Sequence, residues 1–295
     1  RASEAWQAKH MVQLTATHYR LLEQELGSQF FHPMSLRRIL RENNFKYWDR
    51  RRERLNAASW LLHHPSAQHT RREPLGSVLV GSSGVVDVQT LCRAFKERAR
   101  QNGWLREGAF QHRDLVVSSE GVRWKDVDAS MAIFCEGHCA VHNPWLTKLP
   151  LQPTKGERIT LETNHQVSEI LYRQYGLVPW GHGIVRVGST FSRTDLSLHP
   201  TPCARNSLLT AACALLGRDP AQPESITVAE HCVGIRPTIA GHLPVVGRLG
   251  ETPLAVVNGL GSHGVLFGVT AAQSLVNHIV DGDPLPAAID VARFL

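Results

Sequence analysis

The chain has 295 residues, 42% of them hydrophobic and 20% charged, with a formal net charge of +6. That balance belongs to a folded globular protein of one large or two ordinary domains and excludes disordered and fibrous classes. No apolar run approaches the roughly 18 residues that cross a bilayer, and the opening RASEAWQAKH is neither a signal peptide nor a targeting presequence, so a cytoplasmic protein with no membrane partner is expected.

In chain order, AWQAKHMVQLTATHYRLLEQELG places Met11, Leu14, His18, Leu21, Leu22 and Leu26 on one face and stops at Gly27, which predicts a helix. SLRRILRENNFKYWDRRRERLNAASWLLHH again mixes charge and apolar residues at helical spacing. Its basic clusters, Arg37, Arg38 and Arg41 and then Arg50, Arg51, Arg52 and Arg54, fit a solvated helix face, with phosphate or nucleic-acid binding as the alternative. Pro65 to Pro74 is a polar connection. LGSVLVGSSGVVDVQTLCRAFKERARQNGW predicts a strand, a glycine turn and a helix capped by Asp87, with Leu91, Phe95 and Ala99 inward.

Three strand candidates follow, AFQHRDLVVS, GVRWKDV and ASMAIFCEG, and the last is apolar on both faces, as a buried parallel strand is. The proline-rich PWLTKLPLQPTKG is a candidate boundary. RITLET and EILYRQYGLVPWGHGIVRVGSTF alternate as antiparallel strands do, NSLLTAACALLG is helical, and SITVAEHCVGIRPTI is another strand. The six cysteines, Cys92, Cys135, Cys139, Cys203, Cys213 and Cys232, sit mostly in apolar stretches, and buried reduced thiols are expected rather than a disulfide framework.

Four groups of residues bear on chemistry. NGLGSHG holds a formal G-x-G-x-x-G, Gly259, Gly261 and Gly264, between the strand-like PLAVVN and the apolar-periodic VTAAQSLVNHIV. Such a turn points free N–H groups and the positive end of a helix at whatever lies there. Only DGDPLPAAIDVARFL follows, without a second strand for a ribose-binding acid, so tight strand-to-helix packing competes with a stand-alone dinucleotide site.

CEGHCAVH offers Cys135, His138, Cys139 and His142, but all four crowd one strand end and turn, whereas structural zinc sites separate two ligand pairs; no metal is expected. Ser82, Ser83 and the histidines have nothing that assembles them into a hydrolytic site. In GIRPTIAGHLPVVGR, Arg236 ends a strand and can hold a carboxylate through two parallel hydrogen bonds, with an internal salt bridge as the competing account.

Taken in order, GVVDVQTLCRAFKERARQNG, IFCEG, LPLQPTKGE, GSTFSRTD, GIRPT, GHLPVVG and NGLGSHGV resemble the FAD-dependent oxidoreductases of the D-amino acid oxidase superfamily, which includes glycine and sarcosine oxidases. The likeness runs from about Gly81 to the end of the chain. It implies an α/β protein with a two-domain, Rossmann-like fold. The FAD-binding domain would be discontinuous, from residues 81–145 and 234–295, and the α+β substrate-binding domain would come from 1–80 and 146–233.

The resemblance also implies roles. Arg236 would bind the substrate carboxylate, Gly259, Gly261, Ser262, His263 and Gly264 would lie against the flavin, and Gly137 would sit beside the phosphates or ribityl chain. The implied reaction is hydride transfer from a carbon bearing an amine to FAD, on a small amino acid or secondary amine. It names no catalytic acid or base, since positioning supplies much of the rate; His242 and His263 are expected to be structural.

The alternatives are a flavin-dependent oxidase acting on an aminomethyl group of tRNA, and a cofactor-less, non-enzymatic remnant. Two departures stand out. Family members open with a strand, G-x-G-x-x-G, helix and acid-ended strand, roughly 50 to 60 residues that are expected to be missing from this sequence. Ala240-Gly241 also stands where relatives often carry an acid.

Overall fold

The computed structural model describes residues 8–41, 61–62, 75–218 and 226–295. Helix α1 (Ala8–Leu26) buries Met11, Thr15 and Tyr19, a ridge at four-residue spacing. The face is therefore shifted from the expected one: His18 is exposed and Leu21 is 59% exposed. Gly27, at φ +60°, ends the helix, and Ser28 N–H reaches back to the Glu23 carbonyl (3.2 Å), which satisfies one of the last open carbonyls.

Next come β1 (Phe31–Pro33), β2 (Leu36–Ile39), β3 (Leu61–Leu62), β4 (Ser77–Val80) and β5 (Gly84–Val86). The helix expected from SLRRIL is instead β2, which pairs antiparallel with β4. Pairing partners distant in sequence override the local helical spacing there, and Leu61–Leu62, from the same expected helix, form β3 beside β4; residues 42–60 and 63–64 lie outside the described residues.

Asp87 caps α2 (Val88–Gln101), accepting from Thr90 N–H at 3.3 Å. Ala99 turns inward as expected, but Phe95 is 51% exposed. Strands β6 (Leu115–Val117), β7 (Val122–Trp124) and β8 (Val127–Ala129) form an antiparallel meander, followed by β9 (Ala132–Phe134).

The rest of the chain supplies β10 (Thr154–Thr163), β11 (Ile170–Tyr172), β12 (Gly176–Gly181), β13 (Ile184–Gly188), α3 (Pro202–Leu215), β14 (Ile226–Arg236), β15 (Val245–Arg248), β16 (Leu254–Asn258) and α4 (Gly264–Val280).

The chain divides into two compact units. One draws on Phe31–Val86 and Lys155–Gly234, the other on Trp6–Phe30, Asp87–Thr154 and Ile235–Leu295. The division between Thr154 and Lys155 falls inside the proline-rich crossing. Against the expected grouping, Trp6–Phe30 belongs with the second unit, as do residues 146–154.

In the first unit, an eight-stranded sheet in the order β14-β10-β13-β12-β11-β2-β4-β3 is covered on one face by α3. Leu208, Ala212 and Leu215 pack on Ile159, Leu161, Leu177, Val185 and Val187. At the start of β10 the buried Lys155 ammonium donates to Asp195 Oδ2 (2.6 Å), the His199 carbonyl (2.7 Å) and Ser197 Oγ (3.3 Å). Glu157, also buried, accepts from Thr201 N–H (2.7 Å) and Oγ1–H (2.8 Å). His231 Nε2 lies 2.9 Å from Glu157 Oε2, and the Lys155 ammonium lies 3.7 Å from Glu157 Oε1. The segment between β13 and α3 is thus tied down by two buried charges, each with polar partners.

In the second unit, β16 is central, with β15 antiparallel on one side and β9 parallel on the other. Only one side of β9 is covered: Phe134 is buried, while Ile133 is 47% exposed rather than doubly buried as expected. Helix α4 buries Ala271 and Leu275 against Val246 and Ala255. The Tyr19 hydroxyl donates to the Val265 carbonyl (2.9 Å) and Thr15 Oγ1 to the Leu266 carbonyl (3.3 Å), so α1 holds the first turn of α4 in place.

The expected burial of the cysteines holds only for Cys213. Cys232 is intermediate and Cys92, Cys135, Cys139 and Cys203 are exposed, because the apolar stretches around them present alternate faces to solvent. Among the described residues no helix is long and apolar enough to cross a membrane.

Candidate functional site

Strands β9 and β16 run parallel, so the turns that leave them emerge at one end of the sheet, where open α/β sheets bind ligands. Asn258, the last residue of β16 and 1% exposed, couples the two turns. Its Oδ1 accepts from Gly259 N–H (2.7 Å) and its Nδ2 donates to the Gly137 carbonyl (2.9 Å).

The glycines here do two different things. Gly259 sits at φ +74°, and a β-carbon on it would lie 2.7 Å from Ile239 Cγ2, so its role is close packing. Gly137 (φ +58°) and Gly261 (φ +53°) are also left-handed, yet a β-carbon would find nothing within 4 Å at Gly137 and only Thr238 Oγ1, at 3.8 Å, at Gly261. Their α-carbons border open space. Gly264 is helical, at φ −54°.

A short 3-10 turn, Gly261–His263, leads into α4. That helix has no side-chain N-cap and no acid in its first turn, so its N-terminal dipole is not neutralised locally. Ser262 Oγ lies 3.4 Å from His263 Nδ1. The His263 residue as a whole is exposed, but one side of its ring is covered by Phe267, with centroids 5.4 Å apart. Burial of the ring, and then the neighbouring His242, push its pKa below the usual histidine value.

Arg236 closes β14, half-buried, and burial lowers its pKa from the ordinary guanidinium value. The residues after it are zipped to the proline-rich crossing: Gln152 N–H donates to the Thr238 carbonyl (2.7 Å) and Ala240 N–H to the Pro150 carbonyl (3.1 Å). Gly261 N–H donates to the Pro237 carbonyl (3.0 Å), so the residue after Arg236 is bonded directly to the glycine turn. The structure thereby gathers Arg236, Gly259, Gly261, Ser262, His263 and Gly264 around one junction and ties Gly137 to it through Asn258.

A network that the sequence did not announce lies beside Gly137. The Glu136 carboxylate accepts from Asn143 Nδ2 (2.7 Å) and faces His112 Nε2 at 2.6 Å. The His112 ring sits edge-on to Phe134 and Trp145. His112 and Glu136 are 24 positions apart, and no local spacing marks them as partners.

Other candidates separate. Among the described residues no group of three His, Cys, Asp or Glu could hold a metal ion; His138, Cys139 and His142 lie within a 3-10 turn that Cys135 precedes, with Cys139 Sγ 3.8 Å from His138 Nε2. Ser83 Oγ–H is committed to the Met34 carbonyl (2.6 Å). Arg37 is paired with Glu169 (2.6 Å), and the Arg38 guanidinium lies over the Tyr172 ring at 4.7 Å, so both engage their own unit. Arg50, Arg51, Arg52 and Arg54 lie outside the described residues.

Comparison with known proteins agrees with this architecture. The family model described as "FAD dependent oxidoreductase" matches residues 2–277. The chain superposes on iminodiacetate oxidase from a Chelativorans species with a TM-score of 0.76 at 19% identity, covering 100% of this chain and 85% of that one. For glycine oxidase from Geobacillus kaustophilus the TM-score is 0.78 at 20% identity, with 97% and 81% covered. For L-proline dehydrogenase from P. horikoshii it is 0.74 at 17% identity, with 97% and 82% covered. With the family model spanning nearly the whole chain, and parallel strands delivering a glycine turn to a helix N-terminus, this chain belongs to the D-amino acid oxidase family of FAD-dependent oxidoreductases.

Proposed function

We propose that this chain oxidises a C–N bond in a small amino acid or secondary amine, and that Arg236 holds the substrate carboxylate. The observation that carries the reading is the bond from Gly261 N–H to the Pro237 carbonyl. Arg236, half-buried, is the residue before Pro237 and so adjoins in sequence the junction that the glycine turn and the α4 N-terminus share. Similar structures named for iminodiacetate, glycine and L-proline support the substrate class.

The residues present fit FAD. Gly137 and Gly261 leave space where any other residue would project a β-carbon, and the first turn of α4 carries neither an acid nor a side-chain cap. When bound, FAD supplies the two-electron acceptor for the hydrogen on the amine-bearing carbon. On this reading Gly261, Ser262, His263 and Gly264 hold the ring system, Gly259 packs on Ile239 to support the turn that carries them, and Gly137 borders the polar stem. The α4 N-terminus favours negative charge beside the ring. Arg236 orients the substrate through its carboxylate, and no side chain is assigned to proton transfer. The unit containing β9, β16 and α4 binds the cofactor, and Arg236 belongs to that same unit.

The test uses the full-length protein loaded with FAD. Arg236→Ala raises KM for a carboxylate-bearing amine about 10- to 100-fold, as expected for a lost charged pair, and leaves a carboxylate-free amine unaffected. An unchanged KM for the carboxylate substrate in a folded variant removes Arg236 from the site.

A further inference from the structure

The turn that follows β9 is built around one carboxylate. Glu136 begins a 3-10 turn that runs through Gly137–His142, and its own side chain spans that turn to accept from Asn143 Nδ2 at the far end, 2.7 Å away. Asn143 is 1% exposed, and its Oδ1 is used to accept from Trp145 N–H (2.9 Å). The second carboxylate oxygen faces His112 Nε2 at 2.6 Å, so the imidazole N–H donates to it. His112 in turn is fixed by rings on three sides: Phe110, Phe134 and Trp145 have centroids 5.6, 6.2 and 6.1 Å from its own.

The His112 and Glu136 side chains keep 22% and 21% of their surface exposed, and a polar pair so placed is a modest source of stability. What the pair supplies is direction. With both oxygens held from opposite sides, Glu136 fixes the peptide that leads into Gly137. The Gly137 carbonyl is fixed independently by Asn258 Nδ2 at 2.9 Å. The left-handed Gly137 α-carbon, with nothing within 4 Å of its β position, is therefore held from both sides.

We propose that Glu136, held by His112 and Asn143, is a positioning residue for the cofactor, fixing the Gly137 turn so that its open face meets the polar stem of FAD. This inference rests on the reading of Gly137 given above. It adds that binding depends on a hydrogen-bonded carboxylate that does not itself touch the ligand.

The experiment measures FAD dissociation from the full-length protein by flavin fluorescence, together with flavin circular dichroism and the melting temperature of the cofactor-free form. Glu136→Gln keeps one acceptor and replaces the other with an amide N–H group, which either opposes the Asn143 Nδ2 donor or forces the His112 ring to change tautomer, and weakens FAD binding about tenfold, the effect of one such hydrogen bond. His112→Phe, which keeps the ring packing, does the same, and the double variant is no worse than either single one because the pair acts as a unit. His112→Gln, which restores an N–H donor, recovers tight binding and the wild-type flavin dichroism.

Wild-type protein that binds no FAD overturns the cofactor reading itself. Wild-type protein that binds FAD, with Glu136→Gln and His112→Phe binding equally well, overturns this inference alone. A loss of cofactor-free stability at unchanged FAD affinity would mark the network as structural and also overturn it. Should Glu136→Gln fail to fold, the contrast between His112→Phe and His112→Gln decides the matter.

Discussion

The two glycines of the turn, Gly259 and Gly261, have similar backbones and different surroundings, and an alanine at each separates those two factors. A left-handed residue other than glycine costs roughly 1–2 kcal/mol at either position. At Gly259 the added methyl would also lie 2.7 Å from Cγ2 and 3.3 Å from Cβ of Ile239, which is fully buried and cannot swing away. Overpacking of that kind adds about 1–3 kcal/mol. Gly259→Ala therefore loses about 2–5 kcal/mol, whereas Gly261→Ala, whose nearest neighbour is Thr238 Oγ1 at 3.8 Å, loses about 1–2 kcal/mol. Urea unfolding of the two variants, compared at an unchanged m-value, measures the difference directly. Equal losses at the two positions would refute the assignment of Gly259 to packing and Gly261 to open space.

Asn258→Ala removes both bonds that join the turns after β9 and β16 and leaves the Gly137 carbonyl without that donor, at a cost of about 2–4 kcal/mol. Retention of wild-type stability in thermal unfolding would count against that coupling. Hydrogen bonding from Lys155, then from the Ser197 N–H and hydroxyl, holds the Asp195 pKa down at about 2, against an ordinary 3.8. The depressed value means that the contribution is fully present above the ordinary carboxylate pKa and is lost as pH falls toward about 2. Carboxylate titration by NMR should show this, and Lys155→Met should raise the Asp195 pKa, with the Ser197 bonds still holding it below the ordinary value. An ordinary Asp195 titration in the wild-type protein would be the contrary result. For His263 the sign is similar: its lowered pKa favours the neutral ring, so its environment destabilises the fold as pH drops below the usual histidine value. In His263→Asn the melting temperature should fall less over that range than in wild-type protein; an equal fall would contradict it.

Much of the frame was legible because it is written in local chemistry. Asp87 at a helix start, Gly27 at a helix end, the alternating residues of β10, β12 and β13, and the strand, glycine turn and helix from Pro253 to Val280 each announce themselves over a few positions. The glycine-turn residues and Arg236 were nameable from motif resemblance, and they do gather at one junction.

What escaped depends on long-range contact. Leu36–Ile39 becomes a strand because β4 and β11 flank it. Tyr19, one residue beyond the expected His18 on α1, is buried, and its hydroxyl reaches Val265, 246 positions away. His112, Glu136 and Asn143 have unremarkable neighbours in sequence, and only the turn after β9 brings them together. Lys155 carries no mark of being buried beyond its place in LPLQPTKGE; its partners arrive 40 to 44 residues later.

Amine oxidation through bound FAD, with a carboxylate anchored at Arg236, is tested by anaerobic addition of small amino acids and secondary amines to the full-length, FAD-loaded protein, with the visible flavin absorbance followed over time. Bleaching by carboxylate-bearing amines, slowed at subsaturating amine by Arg236→Ala, is the predicted result. A bound flavin whose absorbance stays unchanged with every amine in the panel would contradict the account.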